Sequence, residues 1–317
     1  MSMTYRDNGG EAELGTSLTE DTALVFEDAV GAVSPSDTSE QEYIRLMLTR
    51  VQRGELGIYT LSASGHTIGV LCHRVLDGDA ELVFGHLLAA ASGREEFFLG
   101  RAVDGLFAAG AHTVRSNFTW PRPSGFVPAA GALGFRMTER MSMGLRTGPR
   151  GSSPERFDIL PWRDDYAEEV SRVMSESSSP ADRPVYPMFS RPEGARMLMD
   201  SVLNDRHGKL LRELSYVSRD GERIIGFLLS TLLADGSVLI LNIAVGDKYR
   251  CQGLGGALID RLISDAYSRG YHQVLLAVTS TNYDAIRLYE RKGFRVNGYF
   301  RQYVLSKLND VPHPAAE

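Results

Sequence analysis

The stretch DKYRCQGLGGALIDRL, Asp247 to Leu262, sets Gly253, Gly255 and Gly256 at the start of a helical apolar pattern. Glycine costs backbone entropy, and a helix start ordinarily favours Ser, Thr, Asp or Asn. Glycines there make sense where something must approach the backbone. The first amides of a helix lack intrahelical partners, and the helix dipole favours negative charge beside them. Gly253 and Gly255 remove Cβ atoms that would block an oxygen, and Arg250 adds a positive charge. These residue types suit a phosphate cradle; the alternative is a tight strand-to-helix turn without a ligand. No Lys-Ser or Lys-Thr follows the glycines, which excludes a nucleotide P-loop. Leu258 stands where a dinucleotide fingerprint needs its third glycine, and a βαβ start is missing.

The elements that position this loop are legible around it. RFDILPW, from Arg156, reads as a strand, and helical spacing follows from Asp165 and again from Arg191. Three strands come next, joined at Asp220-Gly221 and Asp235-Gly236, both good hairpin turns. The third ends in Ile243, Ala244 and Val245, just before the glycines. From Leu254 the apolar residues fall at helical spacing until Gly270 ends the helix. HQVLLAV reads as a buried strand, NYDAIRLYERKGF as a short helix stopped at Gly293, and RVNGYFRQYVLSK as the last strands.

A chain of 317 residues suits two domains of about 150 residues each. The net charge of −6 argues against nucleic acid as a partner. No apolar run reaches the roughly 18 to 20 residues of a membrane span, and the polar N-terminus has no secretory h-region. Cys72 and Cys251 make no disulfide framework, so a cytoplasmic location is expected. Residues 1–20 read as a disordered tail, 148–155 as a linker within a Gly-, Pro- and Ser-rich stretch, and 310–317 as a second tail. Three weak matches suggest an internal repeat: Gly110 with Gly270, Gly134 with Gly293, and Gly69 with Gly226, at offsets of 160, 159 and 157.

Over residues 156–309 the element order and two motifs resemble the GNAT acyltransferase superfamily. The family loop runs Arg or Gln, two residues, Gly, one residue, Gly or Ala, matched here by Arg250, Gly253 and Gly255. A later Asn leading to Tyr and Gly-Phe is matched by Asn282, Tyr289, Gly293 and Phe294. NIAV…YRCQGLGGALI and VTSTNYDAIRLYERKGF look most like the branch that acetylates protein and peptide N-termini. The resemblance implies a mixed α/β (α+β) sheet and acetyl-CoA as co-substrate, with no metal. Ile243, Ala244 and Val245 would run beside the pantetheine arm. Arg250, Gln252, Gly253, Leu254, Gly255 and Gly256 would hold the pyrophosphate, and Asn282 would contact the arm.

The implied chemistry is direct attack of a primary amine on a thioester. Such an amine, with a pKa near 10, must first lose a proton, and the departing thiolate gains from a proton donor. The resemblance assigns that donor to Tyr289. Some relatives carry a Glu on the strand before the Asn; here the position is Ala277, and no carboxylate lies on VLILNIAV. A water relay held by Thr279 or Asn242 is therefore expected. His272 at a strand start reads as a bystander, and Cys251 faces the wrong end for a nucleophile. Tyr299 and Tyr303 are candidates to shape the acceptor pocket.

The first half, 21–147, lacks these parts. The position matching the glycine loop is AAASGREEFF, where Glu95 and Glu96 would repel a pyrophosphate. It reads as a degenerate GNAT-like domain without cofactor, so the whole reads as two tandem GNAT-like domains. Tyr59, Trp120 and Arg122 are its candidate contributors to an acceptor site. The expected function is an acetyl-CoA-dependent N-acetyltransferase acting on a small-molecule or peptide amine. The alternatives are a CoA-binding sensor without turnover and an interaction protein that binds no donor.

Overall fold

The computed structural model describes residues 3–7, 10–76, 78–118, 125–149 and 156–307. It divides into two compact units: Met1–Met137 with Gln302–Glu317, and Thr138–Arg301.

The first unit contains β1 (Met3–Asp7), β2 (Gly10–Gly15), α1 (Thr22–Ala32), α2 (Thr38–Gln52), β3 (Gly57–Ala63), β4 (His66–Leu76), β5 (Asp79–Leu87), α3 (Glu95–Ala108), β6 (Thr113–Ser116) and α4 (Phe126–Ala132). β7 (Arg136–Arg146) leaves it for the second unit. There follow β8 (Asp158–Pro161), α5 (Ala167–Glu176), α6 (Pro192–Leu203), β9 (Lys209–Leu210), β10 (Tyr216–Asp220), β11 (Arg223–Leu232), β12 (Val238–Val245), α7 (Leu254–Ser268), β13 (Gln273–Thr279), α8 (Tyr283–Arg291) and β14 (Arg295–Ser306).

From β2 to β7 and from β8 to β14 the element order is the same, apart from the two-residue β9. The repeat extends to register. β5 and β6 run parallel from Asp79↔Thr113 to Glu81↔Arg115, and β12 and β13 from Val238↔Val274 to Ile240↔Leu276. Gly69 sits opposite Leu87 as Gly226 sits opposite Val245.

Three sequence expectations change. The tail at 1–20 instead contributes β1 and β2, and β2 pairs with β3 from Glu13↔Ser62 to Gly15↔Thr60. Edge pairing runs through backbone hydrogen bonds, so few apolar residues were needed to make it; Ala12 of β2 is fully buried. The boundary also moves from 147 to Met137, because β7 pairs with β13 from Arg140↔Thr279 to Arg146↔Gln273. The expected final strands are one long strand, β14, whose end returns to the first unit and pairs with β6 from Tyr303↔Ser116 to Ser306↔Thr113.

In the second unit β12 and β11 are central, and both faces of the sheet are covered. Phe227 and Leu229 of β11 pack with Val170, Val173, Leu198 and Val202 of α5 and α6. Leu228 and Ile240 pack on the other side with Leu254, Leu258, Leu262 and Ile263 of α7. Two-sided burial explains why β11 and β12 read as continuous apolar runs. Among the described residues no helix is long and apolar enough to cross a membrane.

Candidate active site

β12 is hydrogen-bonded on one side to antiparallel β11 and on the other to parallel β13. The β11 ladder skips Leu241, passing from Leu229↔Asn242 to Ser230↔Ile240. A bulge bends its strand and raises local twist. The parallel ladder with β13 stops at Ile240↔Leu276. From Asn242 to Val245 the strand therefore keeps its β11 partner while its other edge is free of β13. An extended chain of amide groups can bind such an edge by backbone hydrogen bonds.

The edge leads into the glycine loop. Gly253 is the residue before α7, with φ +93, and Cys251 also has positive φ at +59. Gly253 is glycine because side chains rarely tolerate that conformation. A Cβ there would meet nothing within 4 Å. Among the described residues the amides of Cys251 through Gly256 donate to no protein acceptor, and no side chain caps the helix. This many unpaired donors at a helix start suits an anion. The other two glycines have a different reason. A Cβ on Gly256 would lie 2.9 Å from Lys292 Cε, and one on Gly255 would lie 3.3 Å from Leu288 Cδ2. They let α8 pack closely on the first turn of α7, and Lys292 holds Asp260 in an ion pair across that contact.

Arg250 does not stand free beside the loop. Its Nε donates to the Val245 carbonyl at 3.2 Å and its Nη2 to the Ser177 carbonyl at 2.8 Å, and it pairs with Asp247. It ties the loop to the end of β12 and to the segment after α5. The exposed Gln252 reaches the Lys248 carbonyl at 2.9 Å. Leu254 is buried against the core beside Ile243 and Val245.

Asn282 caps α8. Its Oδ1 accepts from the Ala285 amide at 3.4 Å, and its Nδ2 donates to Asp182 Oδ2 at 3.2 Å. Two turns along, Tyr289 is 8 % exposed and lies edge-on to Phe294 with ring centroids 5.9 Å apart. Its hydroxyl has no hydrogen-bond partner among the described residues. Burial pushes the phenol above its usual range, the nearby Asp182 carboxylate pushes the same way, and Arg140 opposes both. Tyr289 is thus a phenol held protonated.

Asp182 and Arg140 are the residues that sequence reasoning missed. Asp182 lies in the turn SSSPADRPVY after α5 and also accepts from Thr279 Oγ1 at 2.6 Å. Thr279 was expected to hold a water; its hydroxyl instead donates to this carboxylate. Arg140, on β7, is buried. It donates to the Ala277 carbonyl at 3.1 Å and to the Tyr186 hydroxyl, over whose ring it lies 5.0 Å from the centroid. A polar Ser/Pro turn holding an acid is the only local signal for Asp182. Nothing near Arg140 in sequence points to β13.

Other expected contributors sit elsewhere. Tyr59 is buried in the core of the first unit, with its ring centroid 5.1 Å from that of His73. Tyr303 is buried in the same core, its ring centroid 5.3 Å from that of Phe118. Tyr299 is 62 % exposed on β14. Trp120 and Arg122 lie outside the described residues. His272 and Cys251 are exposed. Among the described residues no group of three His, Cys, Asp or Glu side chains could hold a metal ion.

In the first unit the carbonyls just past the parallel ladder are taken by side chains. Beyond Glu81↔Arg115, Ser116 Oγ donates to the Leu82 carbonyl at 3.0 Å and the Tyr43 hydroxyl to the Val83 carbonyl at 2.6 Å. The first turn of α3 carries Glu95 and Glu96, opposite in sign to what a phosphate needs.

Comparison with known proteins gives the family and the fold. A model of the Acetyltransferase (GNAT) family matches residues 179–294. The chain is 35% identical over 101 residues to a ribosomal-protein alanine N-acetyltransferase of Escherichia coli, covering 29% of this chain and 68% of that one. Its fold resembles a GCN5-related N-acetyltransferase from Sphaerobacter thermophilus, with TM-score 0.52 and 18% identity over 78% of this chain and 80% of that one. It also resembles a tandem GNAT protein from the clavulanic acid biosynthesis pathway, with TM-score 0.51 and 13% identity over 93% and 98%. The chain belongs to the GNAT family and is an N-acetyltransferase.

Proposed function

We propose that the second unit, Thr138–Arg301, moves an acetyl group from acetyl-CoA to a primary amine, and that the first unit binds no donor. The observation that carries this is the free edge of β12 running straight into the unpaired amides of Cys251 to Gly256. Backbone groups of Ile243 and Val245, which flank Ala244 and point away from β11, hydrogen-bond the pantetheine arm along that edge. The loop amides, with Gln252 and Leu254 in it, receive the pyrophosphate, and Arg250 holds the loop in shape. Asn282 orients the start of α8 beside the arm. Tyr289 gives its phenolic proton to the sulfur as the carbon–sulfur bond breaks. The protonated state that burial enforces is the one this step requires.

The Escherichia coli relative acts on an alanine N-terminus of a ribosomal protein, which makes an alanine-initiated peptide the first acceptor to try. The test is acetyl-CoA binding by calorimetry and thermal melt, wild type against Gly253→Trp. The tryptophan projects into open space where the pyrophosphate would lie, not into the protein. Wild type is expected to bind one equivalent, with stabilisation of roughly 2.7 kcal/mol at about 100 times Kd, and the variant is expected to bind far more weakly. Absence of binding by wild type overturns the proposal; two equivalents overturn the silent first unit.

A further inference from the structure

The second unit has no carboxylate on β12 or β13, whose sequences are VLILNIAV and QVLLAVT. Yet a carboxylate is built into the site from elsewhere. Asp182 is held at both oxygens, by Thr279 Oγ1 at 2.6 Å and Asn282 Nδ2 at 3.2 Å. Thr279 is the last residue of β13 and is itself buried, and Asn282 starts α8. The turn carrying Asp182 is pinned as well: the Arg183, Val185 and Tyr186 amides close it, and Tyr186 accepts from Arg140. A carboxylate has room for about four hydrogen bonds, and two are used here. Asp182 thus keeps acceptor capacity, and its charge reaches the Tyr289 phenol, which it helps to hold protonated. Beside the cluster, Ser179, Ala181, Asn282, Tyr283 and Arg287 line a cleft of about 390 Å³.

We propose that Asp182 receives the ammonium of the acceptor and takes its proton during transfer. The inference rests on the acetyl-transfer reading above. One N–H bond of the ammonium breaks, and its proton passes to Asp182 directly or through one water. The freed lone pair attacks the thioester carbon. The carbon–sulfur bond then breaks, the sulfur leaves with its electron pair, and the Tyr289 hydroxyl protonates it. The new N–C bond leaves one excess proton on nitrogen, which restores the Tyr289 phenol. Asp182 releases its proton to solvent, so the net products are the amide, the free thiol and one proton. The charged and titratable groups around it include Arg140 on β7, Tyr289 on α8, Arg183 and Tyr186 in its own turn, and Asp284 and Arg287 of α8, which line the cleft. Asp284 is paired with Arg287 at 2.7 Å, which leaves Asp182 as the carboxylate to face a cationic amine.

The experiment uses the full chain, acetyl-CoA, and an alanine-initiated peptide with lysine and spermidine as further amines. Asp182→Asn is expected to lower acceptor kcat/KM by about 100-fold or more while acetyl-CoA affinity stays at the wild-type value. Asp182→Ala is expected to regain activity as formate is added, since a small carboxylate can occupy the vacated position. An Asp182→Asn enzyme within a factor of about three of wild type overturns the inference. So does a loss that formate leaves untouched and that comes with weakened acetyl-CoA binding, which would make Asp182 a brace for its turn. A wild type that acetylates none of the amines overturns the transfer reading and this inference with it.

Discussion

Removing the Tyr289 hydroxyl separates its chemistry from its packing. In Tyr289→Phe the ring keeps its edge-on contact with Phe294, and no hydrogen bond to the described protein is lost. Stability should therefore change by less than about 1 kcal/mol. Turnover should change much more. A phenol in water has a pKa near 10 and a thiol near 8.5, so full proton transfer from one to the other is uphill by about 2 kcal/mol. Burial and Asp182 raise the phenol further and widen that gap. The proton can move only as charge builds on the departing sulfur, so the gain lies at the lower end of general acid catalysis. An effect of about 100-fold on kcat is expected, equal to roughly 2.7 kcal/mol in the barrier. The assay is thiol release with a chromogenic thiol reagent at saturating acetyl-CoA and amine, with calorimetry to show that donor binding is intact. A variant that binds acetyl-CoA normally and turns over within a factor of about three of wild type refutes the acid role.

Two further predictions concern stability. Tyr289 and Tyr216 are both buried and both raised; Tyr216 also donates to Asp265 at 2.8 Å. A raised folded pKa means the folded state keeps a proton that the unfolded state releases above about pH 10. Unfolding free energy should therefore fall as pH rises past about 10, by up to roughly 1.4 kcal/mol per pH unit for each tyrosine. Urea denaturation from pH 9 to 11 should show a shallower fall in Tyr289→Phe, and an identical slope would contradict the burial of the phenol. At the loop, Gly253→Ala forces an L side chain to φ +93 and should cost about 1–2 kcal/mol. Gly256→Ala meets the movable end of Lys292 and gains helix propensity, so its melting temperature should fall less; the reverse order would show that the backbone at Gly253 is not left-handed.

Much of the second unit is legible because its signals are local. Asp220-Gly221 and Asp235-Gly236 bound the hairpins, α7 begins at Leu254 as its apolar spacing implies, and Gly293 follows α8. Asn282 and Tyr289 fall on one helix because both lie within a short stretch of helical period. The tandem repeat shows in the sequence only as three glycine pairs, while in the structure it extends to strand register.

What the sequence determined by itself was the order of elements, the glycine loop and the asparagine–tyrosine pair, all set by contacts within a few residues. The tertiary structure decided the rest. It paired β1 with β2 and β2 with β3, handed β7 to the second unit and the end of β14 to the first, and freed the edge of β12 after Ile240. It showed that Gly255 and Gly256 serve the packing of α8. It brought Asp182 to Thr279 and Asn282 across 97 and 100 residues, and Arg140 to Ala277 across 137. Hydrophobic period and turn chemistry act over a turn of helix or a hairpin. A side chain fixed by hydrogen bonds to a distant strand leaves no such period, and only the folded chain reveals it.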